Sequence, residues 1–386
     1  YTALLYMGYC YVCEWPDLIL KINFYWKGSI FAFYSLLKLK YTFMPNIPLL
    51  LKSVFVIFLL SLVACKSDKV DDKPKAKPDP QLDALNEIVE KNPNNADALF
   101  NRAQYYYDIE GYDEAILDLS SAMKIDSLKP KYYHLLADTY MDYYQSRMAL
   151  LTMQKASGMF PDSIRTLLKL TEYEMILKQY DEAMQTIKII LEKDKQNADA
   201  YLLMGSVLNE SGDSKRALLA FKKATEIDPY LIDGWIKAGA LSDEIKEKDA
   251  EKYFKTALKI DSTSYQALYA MAMHHQNLNH LDEAITWYKK MNLVFPKTAQ
   301  PYFNIGVLYQ EMDSLDKSLE FLTIATELDK IYAEAYYAKG IVLEKQGKLA
   351  EAQKQYSQAS TISPKFVKAE QASQRLKNLL KEKAVK

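Results

Sequence analysis

The chain has little of several residue types on which many functional sites depend. Its 386 residues include 4 histidines, 3 cysteines and 11 glycines, and the formal net charge is −1. This near-neutral balance gives no general reason to expect a nucleic acid or another charged polymer as the partner. The cysteines all lie within the first 65 residues, at Cys10, Cys13 and Cys65. No disulfide can therefore join the later segments, whose stability must come from packing.

Residue patterns that accompany catalysis and metal binding are also missing. The sequence contains no glycine-rich phosphate loop and no serine or cysteine nucleophile motif. His274 and His280 are six residues apart, which does not give metal-ligand spacing on one helix face. Cys10 and Cys13 have CxxC spacing, but no second pair or nearby histidine completes a zinc site. We therefore expect no enzymatic activity, no metal and no cofactor.

What the sequence does contain is a helical hairpin pattern, clearest in residues 196–229. The first half carries an apolar seam at i, i+3, i+4 and i+7 spacing, formed by Tyr201, Met204, Gly205 and Leu208. A break follows at Gly212, and a second seam then runs through Ala217, Phe221 and Ala224. Pro229 ends the second pattern, because proline restricts the residue before it.

The same slots fill again about every 34 residues. With Ala198 as position 1, glycine stands at position 8 in four repeats, at Gly205, Gly239, Gly306 and Gly340. Alanine recurs at position 20, at Ala115, Ala149, Ala183, Ala217, Ala284 and Ala352. These small residues are predicted to pack the two helices of each hairpin where they cross closely. The period and the pattern resemble the tetratricopeptide repeat, and the resemblance covers roughly residues 96–366 as eight repeats.

The resemblance implies an all-α fold, a right-handed superhelical solenoid of helix-turn-helix repeats. One hairpin buries little, so neighbouring hairpins must stack to form a continuous core. Residues 81–95 are predicted to form an N-terminal cap helix, and residues 367–386 a polar closing helix. In the closing helix, Val367, Leu376 and Leu380 are expected to cover the last repeat.

Three repeats depart from the pattern. The fifth is one residue short, and the spacing places the gap in the turn around residues 246–249. The third has Thr171 at position 8 and a bulkier seam, and the seventh has Ser318 at position 20. We interpret these departures as tolerated drift, and the alternative is a local change of superhelical curvature.

The first 80 residues carry a different kind of signal. Residues 1–43 are crowded with aromatic and aliphatic residues without periodicity, and we interpret them as upstream sequence before a start at Met44. Residues 44–64 have a positive charge and then an apolar run, as signal peptides do. The run closes on Leu-Val-Ala-Cys, which resembles the bacterial lipobox and implies lipidation of Cys65. The alternative is an ordinary signal peptide with a chance cysteine. Residues 65–80 are charged and proline-rich, and are predicted to form a disordered tether behind the lipidated cysteine.

The residue after Cys65 bears on location. Lys66 resembles the residue found in lipoproteins that are passed to the outer membrane. We therefore expect an outer-membrane lipoprotein that faces the periplasm. Export to the cell surface remains an alternative, because charges near the lipidated cysteine can serve as an export signal.

The resemblance also implies a binding surface, because positions 2, 5, 9 and 12 of the first helices line the concave face in this family. Carried over, the expected groove residues are mainly aromatic, apolar or amide side chains: Phe100, Tyr107, Gln266, Tyr269, Met273, Phe303, Gln310 and Tyr337. Such a surface suits an extended peptide or a helix. The alternative is that tight curvature buries position 5 as core. Because no repeat has Lys at position 5 or Asn at position 9, clamping of a terminal carboxylate is not expected.

Together these features predict a non-enzymatic adaptor or scaffold that binds protein or peptide partners in assembly of a cell-envelope complex. Self-association through the end helices is a further option, since repeat arrays expose helices at their ends. The alternative from another class is a glycan- or peptide-binding lipoprotein of a nutrient-uptake system.

Overall fold

The computed structural model describes residues 79–385. The predicted signal peptide, Cys65 and the tether up to residue 78 lie outside the described residues. The described part is helical and contains no strand. Its helices are α1 Pro80–Lys91, α2 Ala96–Asp108, α3 Tyr112–Ile125, α4 Pro130–Asp142, α5 Ser146–Met159, α6 Ile164–Ile176, α7 Tyr180–Lys193, α8 Ala198–Glu210, α9 Ser214–Ile227, α10 Ile232–Glu244, α11 Ala250–Ile260, α12 Tyr265–Asn277, α13 Leu281–Val294, α14 Ala299–Glu311, α15 Leu315–Leu328, α16 Ala333–Lys345, α17 Leu349–Ile362 and α18 Val367–Val385.

Helices α2 to α17 form eight helical hairpins in sequence order, with α1 before the first and α18 after the last. Every first helix has 13 residues, and every second helix except α11 has 14. The predicted all-α solenoid of eight repeats with flanking helices is thereby confirmed. The described residues from Pro80 onward form one compact unit that contains its own core. In residues 79–385, no helix combines the length and the apolar content that a membrane crossing requires.

The turn inside each hairpin contains a residue in the left-handed conformation. Glycine occupies this place in two repeats, as Gly212 and Gly347. In the other six the residue is not glycine, and the positions are Glu110, Tyr144, Lys178, Lys246, Asn279 and Asp313. The next N–H donates back to the last turn of the first helix, as Gly111 N does to Tyr106 O at 2.7 Å. This bonding ends the first helix and reverses the chain.

The loop between one hairpin and the next has its own recurring bond. In five loops an aspartate side chain accepts the N–H of the residue two positions ahead at 2.8–3.0 Å: Asp126, Asp194, Asp228, Asp261 and Asp329. Such local side-chain bonds satisfy backbone donors that no helix uses. The four-residue loops are therefore specified by their own sequence.

The core follows the small-residue seam. The position 20 alanines are completely buried. Each position 8 glycine faces a large residue at position 24, in the pairs Gly205 with Phe221, Gly239 with Phe254, Gly306 with Leu322 and Gly340 with Tyr356. A glycine on the first helix therefore makes room for a large side chain of the second.

The three repeats that depart from the sequence pattern accommodate their atypical residues locally. In the fifth, the connection between Glu244 and Ala250 is irregular, which agrees with the predicted location around residues 246–249, but it is the helix α11, with only 11 residues, that is shortened and not the turn. In the third, Thr171 is buried and its hydroxyl donates to Leu167 O at 3.0 Å, within its own helix. In the seventh, the buried Ser318 hydroxyl donates to Gly306 O at 2.7 Å, across the hairpin.

Both ends of the array are attached by charged side chains. Arg102 of α2 makes two bonds to Asp118 of α3, at 2.7 and 2.8 Å, and a third to Asn86 of α1 at 3.0 Å. At the other end Arg375 of α18 makes two bonds to Glu344. The buried contacts of α18 come from Ala369 and Leu376. Val367 is 55% exposed, so its predicted covering role is wrong, because the residue stands at the first turn of α18.

Candidate protein-binding groove

The first helices of repeats 6, 7 and 8, α12, α14 and α16, carry a row of aromatic side chains. Tyr269, Phe303 and Tyr337 occupy position 5 in the three repeats. Each is half-buried and packs against a core cluster. Sequence reasoning left groove and core as alternatives for these residues. Their partial burial is consistent with both roles, because one side of each ring packs against the core and the rest of its surface is accessible.

Each position 5 ring is accompanied by a second ring from position 1 or from the loop that follows the hairpin. Tyr269 stacks on Tyr265 with 6.3 Å between the ring centroids. Phe303 lies 5.0 Å from the ring of Tyr332, and Tyr337 lies 4.9 Å from the ring of Phe366. We call these six residues the aromatic ladder. Rings packed at such distances are rigid and offer contact area at little entropic cost.

The pKa of two phenols of the ladder, Tyr265 and Tyr332, is raised above its ordinary value, so both keep their proton. Burial, the charge of Glu334 and the neighbouring phenols of Tyr269 and Tyr265 raise the pKa of Tyr332. Burial likewise raises the pKa of Tyr265. The ladder consists of one ring pair in each of three successive repeats. A neutral phenol can donate one hydrogen bond to a ligand.

Amide side chains flank the ladder. Gln266 of α12 is exposed and Gln310 of α14 is half-buried, and neither side-chain amide has a hydrogen bond to another described residue. Gln300 accepts a hydrogen bond from the Tyr265 hydroxyl at 2.9 Å. Met273, also half-buried, accepts one from Tyr288 through its sulfur. Amides with open donors and acceptors can pair with the backbone of an extended peptide.

The first two repeats present different chemistry. Phe100 is covered by Lys131, whose Nζ lies 4.5 Å from the ring centroid and 2.7 Å from Asp97 Oδ1. Tyr107 donates to Asp142 at 2.6 Å and lies beside the Tyr112 ring, at the hairpin turn. The predicted groove residues therefore fall into two groups. Those of repeats 6 to 8 form one neutral aromatic surface, whereas Phe100 and Tyr107 belong to charged surroundings.

His134 differs from the other position 5 residues. It is buried, and its Nε2 lies 2.9 Å from the Thr166 hydroxyl. Burial lowers its pKa to about 4, and the charges of Lys169 and Arg165 act in the same direction. In repeat 2 position 5 is therefore core.

Sequence reasoning missed half of the ladder. Tyr265 stands at position 1, and Tyr332 and Phe366 stand at position 34, which the family's concave positions do not include. Their signal was the recurrence of an aromatic at position 34 in two successive repeats. Position 34 is the last residue of the loop that follows the hairpin, and its ring lies about 5 Å from the position 5 ring of the same repeat.

No group of three or more potential metal ligands occurs within residues 79–385. Of the histidines discussed above, His274 contacts Asp243, with its Nδ1 2.6 Å from Oδ1. His280 has its ring 6.1 Å from that of His275. These contacts join neighbouring helices and turns of the fifth and sixth repeats.

Comparison with known families agrees with this geometry. Family models of the tetratricopeptide repeat match residues 84–116, 198–230, 299–332 and 333–366. The chain therefore contains tetratricopeptide repeats, a fold that typically serves as a non-catalytic scaffold for protein interactions, and no enzyme family is indicated.

Individual relatives are distant. The chain is 26% identical over 136 residues to Superkiller complex protein 3 of Mus musculus, and the aligned region covers 33% of this chain and 9% of the relative. It is 23% identical over 275 residues to the DnaJ homolog subfamily C member 7 homolog of Dictyostelium discoideum, covering 67% of this chain and 47% of the relative. The chain thus spans less than half the length of either curated relative. A solved tetratricopeptide repeat protein from Parabacteroides merdae aligns with a TM-score of 0.46 and 15% identity, over 64% of this chain and 98% of that one.

Proposed function

We propose that this chain is a non-enzymatic adaptor that binds an apolar, uncharged segment of another protein along the aromatic ladder. The observation that carries the proposal is the ladder itself: six rings on successive repeats, held by the core but partly open. Nothing in the hairpin packing requires aromatic residues at position 34, since the same place is a lysine, Lys129, in the first repeat.

The surroundings of the ladder select the chemistry of the segment. The carboxylates that act on the ladder include Glu334 and Asp329, whose charges raise the pKa of Tyr332, and Glu344, which Arg375 neutralises through two bonds. The lining is otherwise phenols, apolar rings and amides, so a charged segment would lose hydration without gaining a partner. An extended peptide gains stacking area and can hydrogen-bond to Gln266 and Gln310.

The adaptor is further proposed to be tethered to the outer membrane through Cys65 and to act in assembly of an envelope complex. The Leu-Val-Ala-Cys sequence and the preceding apolar run support this part. Two acyl chains on the cysteine sulfur and a third on its amine would give stable anchoring, because one chain alone binds a membrane only marginally. Replacing Cys65 by Ala should move the protein out of the membrane fraction, and retention there would contradict the lipobox interpretation.

A comparative capture experiment tests the groove. Residues 79–386 serve as bait in envelope extract, beside the double variant Phe303→Ser/Tyr337→Ser. The matched control is Phe100→Ser/Leu168→Ser, which changes the same repeat position in repeats 1 and 3. We expect a protein that the parent and the control capture and the ladder variant loses, with all three baits folded by circular dichroism.

Other outcomes count against the proposal. Equal loss with both double variants would mean that the substitutions act through stability. Equal capture by all three baits would place binding elsewhere on the array. Tight binding of a glycan, with no protein captured, would favour the nutrient-uptake alternative.

A further inference from the structure

The hairpin turns of repeats 1 and 2 form an exposed aromatic surface, separate from the ladder. The ring of Tyr112 lies 6.3 Å from that of Tyr107 and 5.6 Å from that of Tyr143, so one row of rings runs across both repeats. Ile109 is 53% exposed and Tyr144 is 96% exposed at the same turns. We call these five residues the tyrosine edge.

The packing of the hairpin does not explain why residue 144 is a tyrosine. Its φ is 60°, and the equivalent turn residues of the other repeats are Glu, Lys, Gly, Lys, Asn, Asp and Gly. A bulky residue in the left-handed region is disfavoured. Because the side chain is 96% exposed, it also gains almost nothing from packing. A tyrosine here therefore costs stability without packing against the described part of the chain.

Carboxylates surround the tyrosine edge. Five are exposed in residues 106–114 and 140–148, namely Asp108, Glu110, Asp113, Glu114 and Asp142, and the only basic residue in these two segments is Arg147. Tyr107 donates to Asp142 at 2.6 Å and Tyr143 donates to Asp113 at 3.2 Å. No ion pair within residues 79–385 involves any of the five.

The phenols lie within the field of these charges. The negative charge of Asp113 raises the pKa of Tyr143, and its hydrogen bond acts in the same direction. Desolvation raises the pKa of Tyr112, as do the charges of Glu110 and Asp142. The rings and the carboxylates are therefore one surface and not two neighbouring ones.

We propose that the tyrosine edge binds a segment of a partner protein that is rich in arginine or lysine. Charge complementarity selects the sign of the segment, since the carboxylates lack cationic partners in the described part of the chain. The rings select its chemistry, because a guanidinium or ammonium group is attracted to the face of a tyrosine and its alkyl stem covers apolar surface.

The protein contains an internal example of this recognition. Lys131 lies with its Nζ 4.5 Å from the centroid of Phe100 and 2.7 Å from Asp97 Oδ1. A ring and a carboxylate together hold one cation there. The tyrosine edge repeats this combination several times, but on the surface and with the cation left to be supplied.

Binding at the edge is measured with a defined probe, a fluorescein-labelled decapeptide of alternating arginine and glycine, by fluorescence anisotropy on residues 79–386. The ring variant is Tyr143→Ser/Tyr144→Asn, in which Asn matches Asn279 at the same left-handed turn position in repeat 6. The charge variant is Asp113→Asn/Glu114→Gln. Its matched control is Asp282→Asn/Glu283→Gln, the equivalent first-turn acids of repeat 6.

Saturable binding is expected, with both edge variants weakened about fivefold or more, because each lost cation–ring or ion-pair contact is worth roughly 0.5–1 kcal/mol. The control pair removes the same charge and should change the affinity less than about twofold. The proposal is overturned if the control weakens binding as much as the charge variant, if the ring variant binds like the parent, or if the peptide does not bind. Circular dichroism establishes that each variant is folded. These residues are distinct from the ladder, so the two proposals fail separately.

Discussion

A methyl group added to Gly205 should destabilise the array, whereas the same addition to Gly158 should stabilise it. Both glycines lie in helices, in α8 and α5 respectively. A Cβ on Gly205 would overlap Cδ1 and Cε1 of Phe221 and lie 3.0 Å from its Cγ. Phe221 is buried in a cluster with Leu208 and Leu241, so its ring could move away only by displacing packed neighbours. A Cβ on Gly158 would meet nothing within 4 Å.

The magnitudes follow from two opposing effects. Overpacking a filled site costs about 1–3 kcal/mol. Alanine recovers up to about 1 kcal/mol over glycine inside a helix, through a smaller loss of backbone entropy. Because the overlap is with a fully packed ring, we expect Gly205→Ala to lower the free energy of unfolding by about 1–2 kcal/mol. Gly158→Ala should raise it by about 0.5–1 kcal/mol, since only the helix effect remains.

Urea unfolding of residues 79–386 shows whether each variant gains or loses free energy of unfolding. Hydrogen exchange shows which helices are destabilised. In a repeat array each repeat contacts only its neighbours, so faster exchange in Gly205→Ala should be concentrated in α8 and α9 and the hairpins beside them. Equal or greater stability of Gly205→Ala relative to the parent would refute the close approach of Gly205 to Phe221. A loss in both variants would show that the glycines are needed for another reason.

Two further predictions concern buried charges. Burial raises the pKa of Glu174 to about 7, well above the ordinary value of 4.5, and its carboxylate accepts one bond from Thr186. The folded state then holds a proton that the unfolded state has lost, so the contribution of Glu174 to the free energy of unfolding should fall by up to about 3 kcal/mol as pH rises from about 4.5 to 7. His134, whose pKa is lowered, acts in the opposite direction over this range, so the contribution is measured in urea midpoints as the difference between the parent and Glu174→Gln, which should change with pH by that amount. Arg102→Met should cost about 3–5 kcal/mol because it leaves the buried Asp118 without its partner. The double variant Arg102→Met/Asp118→Leu should recover most of that loss, and a double variant as unstable as the single would contradict the explanation.

Most of the fold could be predicted from the repeat period. Small residues at positions 8 and 20 located the helix crossings, because the closest approach of two helices tolerates the least variety. Helix ends were set by proline and by turn residues at fixed offsets. The fifth repeat was harder to predict, because a missing residue can shorten either a turn or the end of a helix. In the structure it shortens α11 at its start. Spacing alone does not distinguish these two cases.

Burial within a seam was less predictable than the seam itself. Glu174 occupies a packing position, yet a carboxylate there is not an expected core residue. Two rings of the aromatic ladder, Tyr332 and Phe366, were missed because they stand in loops, outside the positions that a helical period marks. Tyr265 was missed because position 1 is not among the family's concave positions. Apart from Tyr107, which was predicted as a groove residue, the tyrosine edge was missed for a related reason, since Tyr144 lies in a turn whose conformation favours other residues. Burial of single residues and contacts between rings depend on how closely neighbouring helices pack, which the spacing of residues in the sequence does not give.

Site-specific photocrosslinking in intact cells tests most directly whether the aromatic ladder is the partner-binding surface. A benzophenone side chain replaces Gln266, which is exposed beside the ladder on α12. The comparison site is Glu320, equally exposed on α15, the second helix of repeat 7. Our account predicts a discrete protein adduct from position 266 that disappears when Phe303→Ser and Tyr337→Ser are added, and none from position 320. An adduct from position 320 with none from position 266 would contradict it.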